Sequence, residues 1–442
     1  MIYRCFLILF ILPFLSFGQE REEFSNKMEW FQQAKLGIFI HWGIYSVDGI
    51  SESWSFFNEY ISHEDYMKQL NGFNAKNYNP KDWVNLIEES GAKYTVITSK
   101  HHDGFALWKS KYGNLNAYES SIAKRDLLSP FVKEVKQSNL KLGLYYSLPD
   151  WSYKDYTHFT TNKKRYNIED EPKRWKRFLN YRDNQLNELK KNYNPDLWWF
   201  DGDWEHNSSE WKSLELKKNL QNNASRVIFN SRINKYGDYE TPEIGIPVYR
   251  PSSKYWELCM TINDSWGYQE NDNNYKTPLQ IIDLFVDTLS KGGNLLLNIS
   301  PKPDGTIPEK QENILKELGK WTKKHQSAIY STQKGIPYEH YYGPSTLNKE
   351  KNILYLYVRD KPKNNEIVLK GISNKINRAY VVGNGTILNK QILCKVYWNK
   401  YPGITYVKIP ENTLDEYYTV IALVLDGPIK LFKEKTGAVE LN

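Results

Sequence analysis

Cysteine is scarce in this 442-residue chain: three residues, at positions 5, 259 and 394. Thiols so few and so far apart exclude a disulfide-stapled scaffold and a Cys-based zinc site. Charge of one sign is missing too. The 59 Lys and Arg stand against 52 Asp and Glu, a formal net charge of +7, and the two signs interleave, as in KRDLLSPFVKEVKQ (124–137). With no basic block there is no nucleic-acid footprint, so a nucleic-acid partner is not expected. At 40% hydrophobic and 25% charged, the chain is neither disordered nor membranous.

What the chain has in quantity is aromatic residues, 15% of the total, with 15 Trp and 33 Tyr. Flat rings with polar edges suit ligands that alternate apolar faces and polar rims, and sugars are the commonest of these. The same rings also pack cores and strands, so composition alone does not separate the two uses.

The N-terminus reads as a targeting segment. Arg4, an apolar run from Phe6 to Phe17 and the small Gly18 predict a signal peptide over residues 1–18, cleaved near Gly18–Gln19. The run is too short to span a bilayer, and polar EREEFSNK follows it. Cys5 precedes the run instead of marking the cleavage point, so no lipid or membrane anchor is expected. The protein is expected to be exported, to the periplasm or beyond.

From about residue 30 to 330 short apolar runs alternate with amphipathic segments. The runs are LGIFIHW (36–42), YTVITSKH (94–101), LKLGLYYS (140–147), DLWWFDG (196–202), RVIFNSR (226–232), YWELCMTI (255–262) and NLLLNIS (294–300). Between them lie helical patterns at 79–91, 171–192 and 277–293; the last two open with Pro near the first turn, and the last ends in Gly. Near-continuous apolar strands alternating with helices imply a parallel sheet buried on both faces. Repeated seven or more times, the pattern predicts an α/β fold with a (β/α)8-like, TIM-type barrel over residues 19–335. After about residue 336 the texture becomes short alternating strands between Gly, Asn and Pro turns, which predicts an all-β sandwich over 336–442.

A barrel carries its chemistry where strands end at the C-terminal face. The predicted strand ends here are His41-Trp42, His101-His102-Asp103, Tyr145-Tyr146 with Asp150-Trp151 beyond, Trp199, Asp201, Asn230, Arg232, Glu257 and Trp266. Carboxylates, imidazoles, one guanidinium and a ring of Trp and Tyr at one mouth suit glycoside cleavage. His41 could instead be a satisfied core histidine, Asp203 could merely turn the chain, and HHD could be a metal cluster. Adjacent strand residues point to opposite faces, and no further His or Cys stands at ligand spacing, so no metal and no cofactor is expected. Asp201 directly after LWWF is different: an acid there is costly unless it is paired or used.

AKLGIFIHWGIYSV, SKHHDGFALW, GLYYSLPDW, PDLWWFDG, WELCMTINDSWGY and KGGNLLLNISPKPDGTIPE, in that order over about residues 28–330, resemble the α-L-fucosidases of glycoside hydrolase family 29. The resemblance implies exo-acting, retaining hydrolysis of terminal α-L-fucosyl residues of a glycan or oligosaccharide through a covalent fucosyl-enzyme. It matches Asp201 to the nucleophile. The acid/base falls on Glu243 in the loop GDYETPE, with Glu257 in KYWELC as the alternative or as a supporting partner. It places fucose against His41, His101, His102, Trp199 and Arg232, with Trp266 and Trp54 walling the C5-methyl side. Of Tyr146 and Tyr145, strand alternation allows one to face the sugar. In ISESWSFFNEY, Ser53 precedes Trp54 where the family has Glu, and the nearby acid is Glu52. Two neighbouring carboxylates do not both ionise easily, so the acid/base is expected to hold its proton while Asp201 stays charged. A related exo-glycosidase tolerating L-galactose, and a non-catalytic carbohydrate-binding relative, are the alternatives. Oligomeric state has no signature in the sequence.

Overall fold

The computed structural model describes residues 24–221, 226–398 and 400–433; the expected signal peptide, residues 1–18, lies outside them. Each of the seven apolar runs contains one strand: β1 Leu36–Ile40, β2 Tyr94–Lys100, β3 Lys141–Ser147, β4 Leu197–Asp201, β5 Ile228–Phe229, β6 Glu257–Thr261 and β7 Asn294–Ile299. They form one parallel, curled sheet in the order β5-β4-β3-β2-β1-β7-β6. The gap between β5 and β6 is filled by a segment no apolar run announced. Residues 239–243 make isolated parallel bridges, Asn230 with Tyr239 on one side, Glu240 with Trp256 and Glu243 with Cys259 on the other. This irregular eighth strand is polar, follows Gly237 and contains Pro242, which has no N–H for a ladder.

Alternation along the strands sorts the apolar residues into two cores. Phe39, Tyr94, Val96, Tyr145, Leu197, Trp199, Cys259 and Leu296 fill the inside of the curled sheet. Ile38, Ile40, Leu144, Tyr146, Trp198 and Phe200 pack outward beneath the helices. The covering helices include α1 Pro80–Glu89, α2 Leu128–Gln137, α3 Pro172–Tyr193, α4 Pro278–Lys291 and α5 Glu309–Ile329. The Pro signals hold: Pro172 and Pro278 each occupy the first turn, and Thr277 with Gln280 closes a capping box on α4.

Beyond α5 the chain forms a five-stranded and a three-stranded sheet, all antiparallel, around their own core of residues such as Leu354, Leu369, Val407 and Leu423. These sheets dock on the helices: Tyr357 donates to the carbonyl of Ala328 at 2.6 Å, and Trp321 donates to that of Tyr418 at 3.2 Å. A catalytic-type α/β barrel followed by an all-β unit is the expected fold class. No helix among the described residues is long and apolar enough to cross a membrane.

Candidate active site

Asp201 is the last residue of β4. It shares strand parity with Leu197 and Trp199 of the inner core, so its carboxyl faces the inside of the sheet at the C-terminal mouth. Gly202 turns the chain away at once with φ of +82°, a conformation open to Gly at no steric cost; a Cβ there would meet the ring of Pro149 at 2.3 Å. The carboxyl accepts from Arg232 Nη1 at 2.7 Å and from Tyr145 OH at 3.0 Å, and His102 Nε2 lies 3.5 Å away. Burial pushes toward the neutral acid, but the charge of Arg232, then His102 and the two hydrogen bonds outweigh it. The net result holds Asp201 below the usual carboxylate range.

The same guanidinium reaches a second carboxyl. Arg232 Nη2 donates to Glu243 Oε2, while its plane lies 4.7 Å over the Trp199 ring. Glu243 ends the irregular eighth strand, tied there by Cys259 N to the Pro242 carbonyl (3.1 Å) and Ile244 N to the Cys259 carbonyl (3.0 Å). Its side chain is 37% exposed, so solvent reaches it.

Glu257 is placed quite differently. It is the first residue of β6, at the end of the strand far from the mouth, and is 0% exposed. Tyr94 OH donates to it at 2.5 Å and Trp199 Nε1 at 3.0 Å. Burial pushes its carboxyl up to about 7, against those hydrogen bonds. It therefore supports Trp199 from below and cannot meet a sugar, which removes it as the alternative acid/base.

A cavity of about 360 Å³ opens above Asp201, lined by Phe39, His41, Glu52, Trp54, His101, Tyr145, Trp199, Asp201, Trp204, Arg232, Glu243 and Trp266. His41 contributes a fixed tautomer. Asn298 Nδ2 donates to the Trp266 carbonyl at 2.7 Å, which leaves Asn298 Oδ1 to accept from His41 Nδ1 at 2.7 Å. Burial, opposed by that hydrogen bond, pushes His41 down to about 4; the ring is neutral with Nε2 free to accept. His102 is likewise pushed down to about 4, and His101 well below its ordinary range, burial being the main cause in both. Among the described residues no cluster of His, Cys, Asp or Glu is arranged to hold a metal ion.

The cavity brings together His41, Trp54, His101, Trp199, Asp201, Arg232, Glu243 and Trp266 from the sequence-derived set. His102 stands just behind, at Asp201. The alternation argument for HHD does not apply, because β2 ends at Lys100 and both imidazoles follow it, their centroids 4.4 Å apart. Tyr146 is a correction: its OH donates to Gln185 on α3 at 2.8 Å, and Tyr145 is the tyrosine that faces the cavity. Asp103, Asp150 and Asn230 also serve the scaffold. Asp103 accepts from Tyr66, Asp150 from Tyr181 and Lys100, and Asn230 exchanges two hydrogen bonds with the backbone of Phe200.

Three further residues line the cavity: Phe39, Glu52 and Trp204. Phe39 stands two residues before His41, on the same face, and parity would have found it. Glu52 accepts from Gly267 N at 2.5 Å, and burial pushes it up to about 7 despite that bond. Trp204 follows Asp201 by three residues. Chemically the cavity offers one carboxylate kept charged by Arg232, one solvent-reached carboxyl, the buried Glu52, neutral imidazoles and apolar walls, which suits attack at an acetal carbon with proton transfer to the departing oxygen.

Known proteins resemble this chain along most of its length. The sequence model of a family described as Alpha-L-fucosidase matches residues 16–327. The plasma alpha-L-fucosidase of Homo sapiens is 35% identical over 337 residues, covering 69% of this chain and 69% of its own. The alpha-L-fucosidase of Dictyostelium discoideum is 29% identical over 455 residues, covering 94% and 96%. Among solved structures, alpha-L-fucosidase isoenzyme 1 from Paenibacillus thiaminolyticus superposes with a TM-score of 0.82 at 31% identity, over 91% of this chain and 100% of that one. A GH29 alpha-L-fucosidase from Bacteroides thetaiotaomicron, trapped as a covalent intermediate with 2-fluoro-fucosyl fluoride in a Glu-to-Gln mutant, gives 0.78 at 26%, over 91% and 96%.

Proposed function

The chain belongs to the α-L-fucosidases of glycoside hydrolase family 29, and we propose that it removes terminal α-L-fucosyl residues by a retaining double displacement. Asp201 attacks the anomeric carbon while the bond to the leaving oxygen breaks and Glu243 gives that oxygen its proton. The resulting fucosyl ester on Asp201 is then hydrolysed: Glu243 takes a proton from water, the water oxygen joins the anomeric carbon, and the Asp201 carboxylate departs. Two inversions leave the α configuration unchanged.

The observation that carries this reading is a single guanidinium holding both carboxyls. Arg232 bonds Asp201 with one nitrogen and Glu243 with the other. Two carboxyls on one guanidinium are compatible with the ~5–5.5 Å that retaining chemistry needs. The Arg232 charge keeps Asp201 ionised and nucleophilic. Exposure lets Glu243 exchange its proton with leaving group and water. Fucose hydroxyls would meet His41 Nε2, His101, His102 and Arg232. Trp54, Trp199 and Trp266 supply the apolar walls that favour a methyl at C5. Export through residues 1–18 belongs to the same proposal.

The test is a mechanism-based label. Incubation with 2-deoxy-2-fluoro-fucosyl fluoride followed by peptide mapping should find the fluorosugar on Asp201, and NMR of early product should show α-fucose first. A label on another side chain, or β-fucose as first product, sinks the assignment.

A further inference from the structure

Trp204 has no part in the reaction just described, yet it is the one exposed ring among the aromatic residues of the cavity lining, at 55%. Leaving an indole in water forgoes the burial that makes the residue useful to a fold. The backbone beneath it is far from loose. Trp204 sits in a one-turn helix, Asp203–Glu205, whose other residues are pinned on both sides. Glu205 accepts from Trp151 Nε1 at 2.8 Å and from Tyr156 OH at 2.5 Å. Asp203 accepts from Asn234 N at 2.6 Å through its carboxyl and from Trp211 Nε1 at 3.1 Å through its carbonyl. The indole itself lies nearly parallel to Trp54, 11° between planes and 6.5 Å between centroids, and edge-on to His102 at 6.3 Å. A rigid turn thus presents a flat apolar face at the lip of a cavity with room for one sugar ring.

The charge at that lip is informative. Among the described lining residues Arg232 is the one permanent cation, and both of its terminal nitrogens are taken by carboxylates. The described cavity lining thus holds no uncommitted cation for a sulfate.

We propose, on the fucosidase reading above, that Trp204 is the platform of a leaving-group subsite, where the C–H face of an uncharged pyranose, the sugar to which fucose is linked, stacks while Glu243 protonates the bridging oxygen. The subsite would take neutral hexose or N-acetylhexosamine rings and disfavour sulfated ones.

Two substrates separate this subsite from the fucose site. α-L-Fucosyl fluoride has a single atom as leaving group. The partner substrate is whichever fucosyl disaccharide the wild type cleaves fastest among the 1→2-linked galactoside and the 1→3-, 1→4- and 1→6-linked N-acetylglucosaminides. Trp204→Ala should lower kcat/KM for the disaccharide about thirtyfold more than for the fluoride, about 2 kcal/mol at ~1.4 kcal/mol per tenfold. Trp204→Phe, which keeps a ring, should recover most of the difference and shows that the turn still folds. Equal losses on both substrates overturn the proposal, as does a wild type that cleaves the fluoride but none of the disaccharides. A sulfated disaccharide preferred over its neutral counterpart overturns the assignment of an uncharged ring. A wild type inert even to the fluoride would sink the fucosidase reading itself, a result distinct from the others.

Discussion

Replacing Arg232 with Met should move the ionisation of Asp201, and the size of the move follows from the contact. Nη1 lies 2.7 Å from the carboxylate oxygen and Asp201 is only 8% exposed, so water screens the pair poorly. Unit charges about 4 Å apart at an effective dielectric of about 20 interact by about 4 kcal/mol. That is an upper bound on what the guanidinium contributes to keeping Asp201 ionised. Tyr145 still donates to the carboxyl and His102 still stands beside it, and water enters the space that the guanidinium leaves. An upward shift, smaller than the bare pair energy implies, is therefore expected. The sign is fixed: Asp201 is charged above its depressed pKa, and activity falls as pH drops through it, so losing Arg232 moves the acid limb to higher pH. The limb of kcat/KM against pH on an aryl fucoside reports the free enzyme. Its position is separable from the drop in rate that losing a fucose contact also brings. Arg232→Lys should fall between, because an ammonium cannot grip two carboxyls as a planar fork does. A folded Met variant whose acid limb stays within about 0.3 unit of wild type would refute the role given to Arg232.

Glu243→Ala should lose about 10²–10⁴-fold on substrates with poor leaving groups, the usual worth of a positioned proton donor, and much less on activated aryl fucosides. Azide should restore turnover and give α-fucosyl azide, because it attacks the fucosyl ester from the side that Glu243 serves; full activity on poor leaving groups would dismiss Glu243. Glu257→Gln tests the buried carboxyl through stability. Its pKa is raised from 4.5 to about 7, so the native state keeps a proton that the unfolded chain releases, and stability falls as pH rises through that window. The shift corresponds to about 3 kcal/mol at ~1.36 kcal/mol per unit. Denaturant unfolding of the Gln variant should accordingly show a flatter pH dependence between those limits, and an unchanged slope would contradict it. The wild-type slope should be steep, since burial also pushes Glu52 and Glu205 up to about 7.

Most of the barrel was legible because burial on both faces of a parallel strand forces a run of apolar residues, and all seven runs became strands. The eighth was not, since residues 239–243 are polar and Pro-broken and are recruited only by neighbours on either side. Asp201 could be singled out from the line of residues alone: a carboxylate ending LWWF has few uses except to be paired or to react. Tyr145 against Tyr146 was legible only as a choice. Period two says that one faces inward, and which one depends on where Phe39, Trp199 and the helices close around the strand.

The two glutamates show most plainly where sequence ends and tertiary structure begins. Glu243, in the Pro-broken GDYETPE, and Glu257, in KYWELC, stand 14 positions apart, and both are glutamates near a predicted strand end. Pairing against β7 sets Glu257 at the closed end of the barrel, under Tyr94 and Trp199 from strands far away in the chain. Bridging to Cys259 carries Glu243 up to the open mouth and onto the free arm of Arg232. Residue type determined that a carboxyl could serve; height within the barrel is a property of long-range register, and it alone decided which carboxyl meets water at the mouth.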